Sequence, residues 1–120
     1  MGSKVLLVED NRDTRGMIKI FLEINGCDVI EAADGYQAVE RALESSPDLI
    51  LMDIAMPVLD GVQATTVIRQ HESLKDIPIV WITAFDAFYD AQAKLAGCTE
   101  VVAKPIDPDE LKPLLQRYLK

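Results

Sequence analysis

Five short apolar segments recur along the chain, and each is followed by a stretch with the periodicity of an amphipathic helix. The segments are too short to be buried helices, and most of them are apolar without alternation. Strands that are apolar on both faces are typical of parallel sheets covered by helices on both sides. The predicted strands are residues 5–8, 28–32, 49–52, 79–82 and 99–103.

The stretches between these segments carry apolar residues at helical spacing together with typical start and stop signals. Gly26 and Gly97 each follow such a stretch, and glycine readily adopts the left-handed conformation that ends a helix. Asp107 and Pro108 begin the last stretch, because aspartate caps a helix and proline fits its first turn. The predicted helices are residues 12–25, 35–45, 61–72, 86–96 and 107–119.

The alternation of five strands with five helices predicts an α/β fold with one parallel sheet and right-handed crossovers. A chain of 120 residues is too short for an eight-stranded barrel, which leaves an open, doubly wound sheet. The expected strand order is 2-1-3-4-5, as in flavodoxin-like folds. We expect a single domain over residues 1–120, in which residues 1–3 are a cloning remnant or a disordered start.

Charge and composition argue against several classes of function. The formal net charge is −8 and no basic stripe is present, which disfavours direct binding to nucleic acid. No apolar run approaches the ~18 residues of a membrane span. Cys27 and Cys98 lack metal-binding spacing, and His71 is the only histidine, so neither a zinc site nor a Cys-His nucleophile is supported. Two lone cysteines predict a reducing, cytoplasmic location.

Polar residues stand at the ends of four of the five predicted strands. Glu9 and Asp10 follow the first, Asp53 the third, Thr83 the fourth and Lys104 the fifth. Each residue alone is commonly a turn or surface residue. Ligands of open parallel sheets, however, bind beyond the carboxyl ends of the strands where the strand order reverses. In the predicted order all five residues converge on that edge.

The residue types of this cluster favour one chemistry. Three crowded carboxylates repel one another, and one lysine cannot balance them. Oxygen ligands with positions left for water suit Mg²⁺. Residues 9–12 contain no glycine-rich nucleotide-binding loop. Carboxylate, Mg²⁺, ammonium and hydroxyl together suit phosphoryl transfer onto a carboxylate, because that reaction needs charge neutralisation and positioning above all.

Four motifs along the chain are similar, in residues and in order, to those of the response-regulator receiver domains of two-component signalling. The resemblance extends from Lys4 to Lys120. The resemblance implies a signalling switch rather than an enzyme with a separate substrate. Its phosphoryl donor would be the phosphohistidine of a sensor histidine kinase or of a histidine phosphotransfer protein. Its downstream protein target would bind the face formed by helix 4, strand 5 and helix 5. The motifs are residues 8–11, residues 51–57 with Asp60-Gly61, residues 82–84, and Lys104-Pro105.

The resemblance also implies a role for each site residue. Asp53 would be the phospho-acceptor and a ligand of Mg²⁺. Asp10 would bind the ion directly, Glu9 would bind it through water, and the backbone carbonyl of Ala55 would add a ligand. These four residues form the implied metal site.

Two further residues would contact the phosphoryl group. Lys104 would leave Asp53 for the phosphoryl oxygens, and Thr83 would turn its hydroxyl towards them. The Lys104–Pro105 peptide bond would be cis, which an X-Pro bond adopts at modest cost. Gly61 would allow a tight backbone beside the site.

Three positions depart from the family's commonest pattern. Val101 replaces an aromatic residue that often turns inward together with the threonine. Ala55 and Phe85 stand two residues after Asp53 and Thr83, where neither can orient a water molecule. The valine implies a switch that works without an aromatic side chain at this position. The other two departures imply a comparatively long-lived phosphorylated form.

Three alternative interpretations remain open at this point. A Mg²⁺-dependent aspartyl phosphatase for small substrates would need a second acid where Ala55 stands and a cap for which 120 residues leave no room. An interaction module independent of phosphorylation would not require the acid set, Thr83 and Lys104. A receiver cut from a larger regulator or a hybrid histidine kinase would keep the same site.

Overall fold

One five-stranded parallel sheet forms the centre of the protein, in the predicted order β2-β1-β3-β4-β5. The structure is a computed structural model and describes residues 3–54, 60–83, 93–104 and 106–119. The order places β1, β3 and β4 in the middle of the sheet, so their carboxyl ends are neighbours. The strands are β1 (Lys4–Val8), β2 (Asp28–Ala32), β3 (Leu49–Asp53), β4 (Ile79–Thr83) and β5 (Glu100–Ala103).

Helices connect the strands, and their positions follow the predicted ones closely. Residues 93–96 are helical and are named α4 here; the rest of the predicted fourth helix lies outside the described residues. No helix within the described ranges is both long and apolar enough to cross a bilayer. The other helices are α1 (Arg12–Ile24), α2 (Gly35–Ser45), α3 (Gly61–Arg69) and α5 (Pro108–Tyr118), with a short 3₁₀ helix over Glu72–Leu74.

The core lies in two layers, one on each face of the sheet. The strands β1, β3 and β4 are almost completely buried, whereas the edge strands β2 and β5 are partly exposed. This confirms the prediction of strands that are apolar on both faces. Helices α2 to α4 cover one face through Ala38, Ile68 and Ala93, which pack with Leu6, Met52 and Trp81. Helices α1 and α5 cover the other through Leu22 and Leu114, which pack with Leu7 and Leu51.

Capping side chains fix where the helices begin beyond the strand ends. Asn11 Oδ1 accepts a hydrogen bond of 2.9 Å from the Thr14 N–H, so α1 starts at Arg12, two residues after Asp10. Asp107 caps α5 with Pro108 in its first turn, as predicted. At the opposite edge Gly26 and Gly97 have φ angles of +84° and +93°, which confirms their predicted role as helix stop signals.

One expectation needs correction. The third helix ends at Arg69 rather than at residue 72, and His71 is extended, with φ −88° and ψ 122°. The Arg69 guanidinium donates to the carbonyl of Leu74 across 2.9 Å, which fixes the chain after the helix in a separate 3₁₀ turn. Before β1, the Ser3 carbonyl accepts a hydrogen bond of 2.8 Å from the Asp28 N–H.

Candidate phosphoryl and metal site

Three carboxylates meet at the carboxyl ends of β1 and β3. Glu9 and Asp10 directly follow β1, and Asp53 is the last residue of β3. One carboxylate oxygen from each lies within 4.8 Å of the other two. Glu9 and Asp53 are each only 3% exposed, whereas Asp10 is exposed to solvent. The site therefore has a buried floor and a side that faces water.

Lys104 supplies a positive charge to this acidic cluster. Its Nζ donates to Asp53 Oδ2 across 2.9 Å and lies 3.8 Å from Glu9 Oε1. Burial alone would lower the pKa of Lys104, but the hydrogen bond to Asp53 and the charges of the three acids raise it instead. Lys104 is therefore a permanent cation at this site, and one cation is left facing three acids.

The burial of Glu9 has a strong electrostatic consequence. Desolvation, followed by its interaction with Asp53, raises the pKa of Glu9 from 4.5 to about 7. A hydrogen bond of 3.1 Å from the Asn11 N–H to Glu9 Oε2 opposes this shift only in part. Burial is the main cause of the raised pKa, and a cation bound beside Glu9 and Asp53 would favour their ionised forms.

Arg15 holds the backbone beneath the acid pair, and the sequence reasoning missed it. Its Nη1 donates to the backbone carbonyl of Glu9 across 2.8 Å, and its Nε donates to Glu31 Oε1 across 3.1 Å. The Glu9 N–H in turn donates to the carbonyl of Ala32 on β2. A single arginine one turn into a helix carries no sequence signal beyond that of a surface residue.

Thr83 and Lys104 are joined through the backbone. Thr83 is the last residue of β4 and is 3% exposed. Its carbonyl accepts a hydrogen bond of 2.7 Å from the Lys104 N–H. The ends of β4 and β5 are thereby held side by side, with the hydroxyl-bearing residue beside the ammonium-bearing one.

Gly61 permits the close approach expected beside the site. A Cβ at this position would lie 2.5 Å from the Cα of Ile54, a contact that a side chain could not make. The Gly61 N–H also donates to the Ile54 carbonyl across 3.1 Å. The first turn of α3 is therefore packed against the residue that follows Asp53.

Several predicted features lie outside the described residues. These are the Ala55 carbonyl, the Phe85 side chain and the Lys104–Pro105 peptide bond. Val101 is described: it is half-buried on β5 and pairs in register with Trp81 on β4.

The donor set fits a hard divalent cation. Its three acids offer oxygen atoms only, and its exposed side leaves room for water ligands, as Mg²⁺ requires. Glu9, Asp10 and Asp53 are the described residues that could hold such an ion.

A family model and a curated relative match almost the whole chain. The family described as "Response regulator receiver domain" matches residues 5–116. Protein PilG of Pseudomonas aeruginosa is 32% identical over 119 residues, which span 98% of this chain and 88% of PilG.

Solved structures share both the fold and the sequence. The chemotaxis protein CheY4 of Vibrio cholerae superposes with a TM-score of 0.93 at 32% identity, covering 99% of this chain and 100% of CheY4. The receiver domain of the sensor histidine kinase PA1611 from Pseudomonas aeruginosa has a TM-score of 0.91 at 39% identity, with 98% of each chain covered. That structure holds a magnesium ion coordinated in its active-site cleft. This chain belongs to the response regulator receiver domain family.

Proposed function

We propose that this receiver domain accepts a phosphoryl group on Asp53 from a phosphohistidine donor, in a Mg²⁺-dependent reaction. The observation that carries the proposal is the position of the Asp53 carboxylate. It is nearly buried, accepts a hydrogen bond from Lys104, and lies within 4.8 Å of two further carboxylates. A carboxylate between an ammonium and a cation site is suited to attack an electrophilic phosphorus.

Glu9, Asp10 and Asp53 would hold the metal ion, with the Ala55 carbonyl as a further ligand. Two observations support this assignment: the three acids bring carboxylate oxygens within 4.8 Å of one another, and a similar receiver binds magnesium in its active-site cleft. When bound, the ion would neutralise charge on the transferring group. The structural residues Arg15 and Gly61 would keep the ligands in place.

In the proposed transfer, an oxygen of Asp53 attacks phosphorus and an O–P bond forms. The P–N bond of the donor breaks, and its electron pair returns to the imidazole ring. The Lys104 ammonium exchanges its hydrogen bond with Asp53 for one with a phosphoryl oxygen. The Thr83 hydroxyl donates to another oxygen of the same group. These donors stabilise charge at the site without themselves reacting.

The phosphohistidine donor would be a sensor histidine kinase or a histidine phosphotransfer protein that binds the exposed face of α1. Met17, Ile20 and Ile24 lie along this helix and are 72%, 60% and 77% exposed. Met17 also borders an apolar cavity of about 550 Å³ that reaches Glu9 and Lys104. A donor must come within bonding distance of Asp53, and this apolar surface is continuous with the site.

The downstream protein target would bind the face formed by α4, β5 and α5. Leu95 on α4 is 89% exposed, and Val101 and Val102 on β5 are only half-buried. Lys104 directly follows β5, so a change in its hydrogen bond would act on this strand first.

We also propose that residues 1–120 form a single domain and that it acts in the cytoplasm. The thiols of Cys27 and Cys98 are both free, as is usual for proteins of reducing compartments.

Incubation with acetyl phosphate, followed by intact-mass measurement, tests the proposed function. The wild-type protein should gain one phosphoryl group with Mg²⁺ and should react far more slowly without it. Asp53→Ala should remain unlabelled, and Lys104→Met should react about a hundredfold more slowly, since one charge-stabilising donor is lost. Labelling of Asp53→Ala at the wild-type rate would refute the assignment.

A further inference from the structure

Two buried polar side chains connect β4 to helix α3 through the apolar core. The indole Nε1 of Trp81 donates to Thr65 Oγ1 across 2.8 Å. The same hydroxyl donates to the carbonyl of Gly61 across 2.7 Å. Trp81 and Thr65 both have 0% exposure. Thr65 Oγ1 therefore accepts from a strand and donates to the first turn of a helix.

Both ends of this connection reach the candidate site. Trp81 stands two residues before Thr83 on β4, so the two side chains lie on the same face of the sheet. At the other end, Gly61 donates its N–H to Ile54, the residue after Asp53, and packs against its Cα. The path thus joins the end of β4 to the end of β3 through the start of α3.

Two apolar side chains in place of Thr65 and Trp81 would fill the same space without burying polar groups. Burying a hydroxyl and an indole N–H is unfavourable unless both are hydrogen-bonded, and replacing both partners by apolar groups can be nearly neutral for stability. What the hydrogen bonds add is direction, because they specify one position of α3 relative to β4. The contact between Gly61 and Ile54 then transmits that position to the strand end that carries Asp53.

We propose that Thr65 and Trp81 are positioning residues for the phospho-acceptor. Their hydrogen bond fixes the first turn of α3, and thereby keeps Asp53 at the distance from Thr83 that phosphoryl transfer requires. This inference rests on the proposed role of Asp53 as the acceptor.

The variant Thr65→Val removes the hydroxyl at nearly constant volume, whereas Thr65→Ser keeps the hydroxyl and removes a methyl group. Thr66→Val is the matched control. Thr66 is exposed and also donates to a carbonyl four residues earlier, that of Val62, whereas the Trp81 indole donates to the buried Thr65. For each folded variant, the rate of labelling by acetyl phosphate at saturating Mg²⁺ and the Mg²⁺ dissociation constant from calorimetry are measured. Thermal unfolding is recorded in parallel.

Thr65→Val should be labelled about tenfold more slowly than wild type, since small displacements of reacting groups have large effects on rate. Thr65→Ser should recover a rate within about twofold of wild type, and Thr66→Val should be unchanged. A lower melting temperature of Thr65→Val with a wild-type labelling rate would overturn the proposal. If Thr65→Val does not fold, the labelling rate of Trp81→Phe, which lacks the indole N–H, is measured instead. Slow labelling of this variant supports the proposal, and a wild-type rate overturns it. Absence of labelling in the wild-type protein would instead refute the proposed function itself.

Discussion

The ammonium of Lys104 donates to the Asp53 carboxylate across 2.9 Å, although the two residues are 51 positions apart in the chain. The contact exists because β3 and β5 flank β4, and the carboxyl ends of all three strands lie on one edge. It places the ammonium beside the carboxylate that is the proposed phospho-acceptor. The Lys104 ammonium lies farther, at 3.8 Å, from Glu9 Oε1, and burial raises the pKa of Glu9 to about 7.

The stability of the metal-free protein should depend on the ionisation of Glu9. Its pKa is raised in the folded protein, so folding binds a proton between pH 4.5 and about 7. The contribution to stability is complete below pH 4.5 and is lost as the pH rises through 7, by at most about 3 kcal/mol. Denaturant unfolding in EDTA from pH 4.5 to 8 should show this decrease. Glu9→Gln should remove most of it; an unchanged slope would show that Glu9 is not responsible.

Relief of charge crowding should stabilise the metal-free fold. Asp10→Asn removes one of three neighbouring carboxylates, so its melting temperature in EDTA should exceed that of wild type by a few degrees. Mg²⁺ should raise the melting temperature of wild type by binding the native state, and that of Asp10→Asn far less. Asp13→Asn is the control, because this acid lies in the first turn of α1 and outside the cluster. A decrease in the metal-free stability of Asp10→Asn would contradict the crowding.

A charged residue on the exposed face of α1 should slow phosphotransfer from a protein donor but not labelling by acetyl phosphate. Ile20→Glu should reduce phosphotransfer from a phosphorylated histidine phosphotransfer protein by about tenfold, a loss of ~1.4 kcal/mol at an apolar interface. Its labelling by acetyl phosphate should remain normal. Tyr36→Glu on α2 is the matched control, since Tyr36 is 63% exposed and Ile20 is 60% exposed. Equal effects of the two substitutions would exclude α1 as the docking surface.

The phosphorylated form should be comparatively long-lived, as the sequence predicts from Ala55 and Phe85. Neither side chain can orient a water for attack on the phosphoryl group. Ala55→Asn and Phe85→Glu should speed decay by about tenfold, which corresponds to ~1.4 kcal/mol of barrier. The decay is followed by intact mass after removal of acetyl phosphate. Rapid decay in wild type, unaltered by either substitution, would show that these positions do not control the water.

Much of the fold was predictable because the apolar pattern of the sequence marks the strands and helices. The acidic cluster was predictable because its residues stand at the ends of those strands. Apolar strands of a parallel sheet are recognisable in the sequence, and their ends meet at one edge, so the proximity of Glu9, Asp10 and Asp53 followed from the strand order. The end of α3 was not predictable, because the Arg69 side chain there is held by the Leu74 carbonyl and by the carbonyl of Gly97, which is 28 positions away in the chain.

The supporting residues were missed for a related reason. Arg15 and Thr65 each have a partner that only the folded structure brings within reach, Glu31 on β2 for Arg15 and Trp81 on β4 for Thr65. The pairing of Thr65 with Trp81 requires a particular rotation of α3 against β4, which the amphipathic pattern of the helix does not specify.

Chemical mapping of the phosphorylated residue tests the central claim most directly. Protein labelled with acetyl phosphate and Mg²⁺ is treated with borohydride, which reduces an aspartyl phosphate to homoserine, and is then digested and sequenced by mass spectrometry. We predict homoserine at position 53, with Asp10 and Glu9 intact, and far less of it when Mg²⁺ is omitted. Conversion at residue 9 or 10 with an intact Asp53, or phosphate retained on a serine or threonine, would contradict the account.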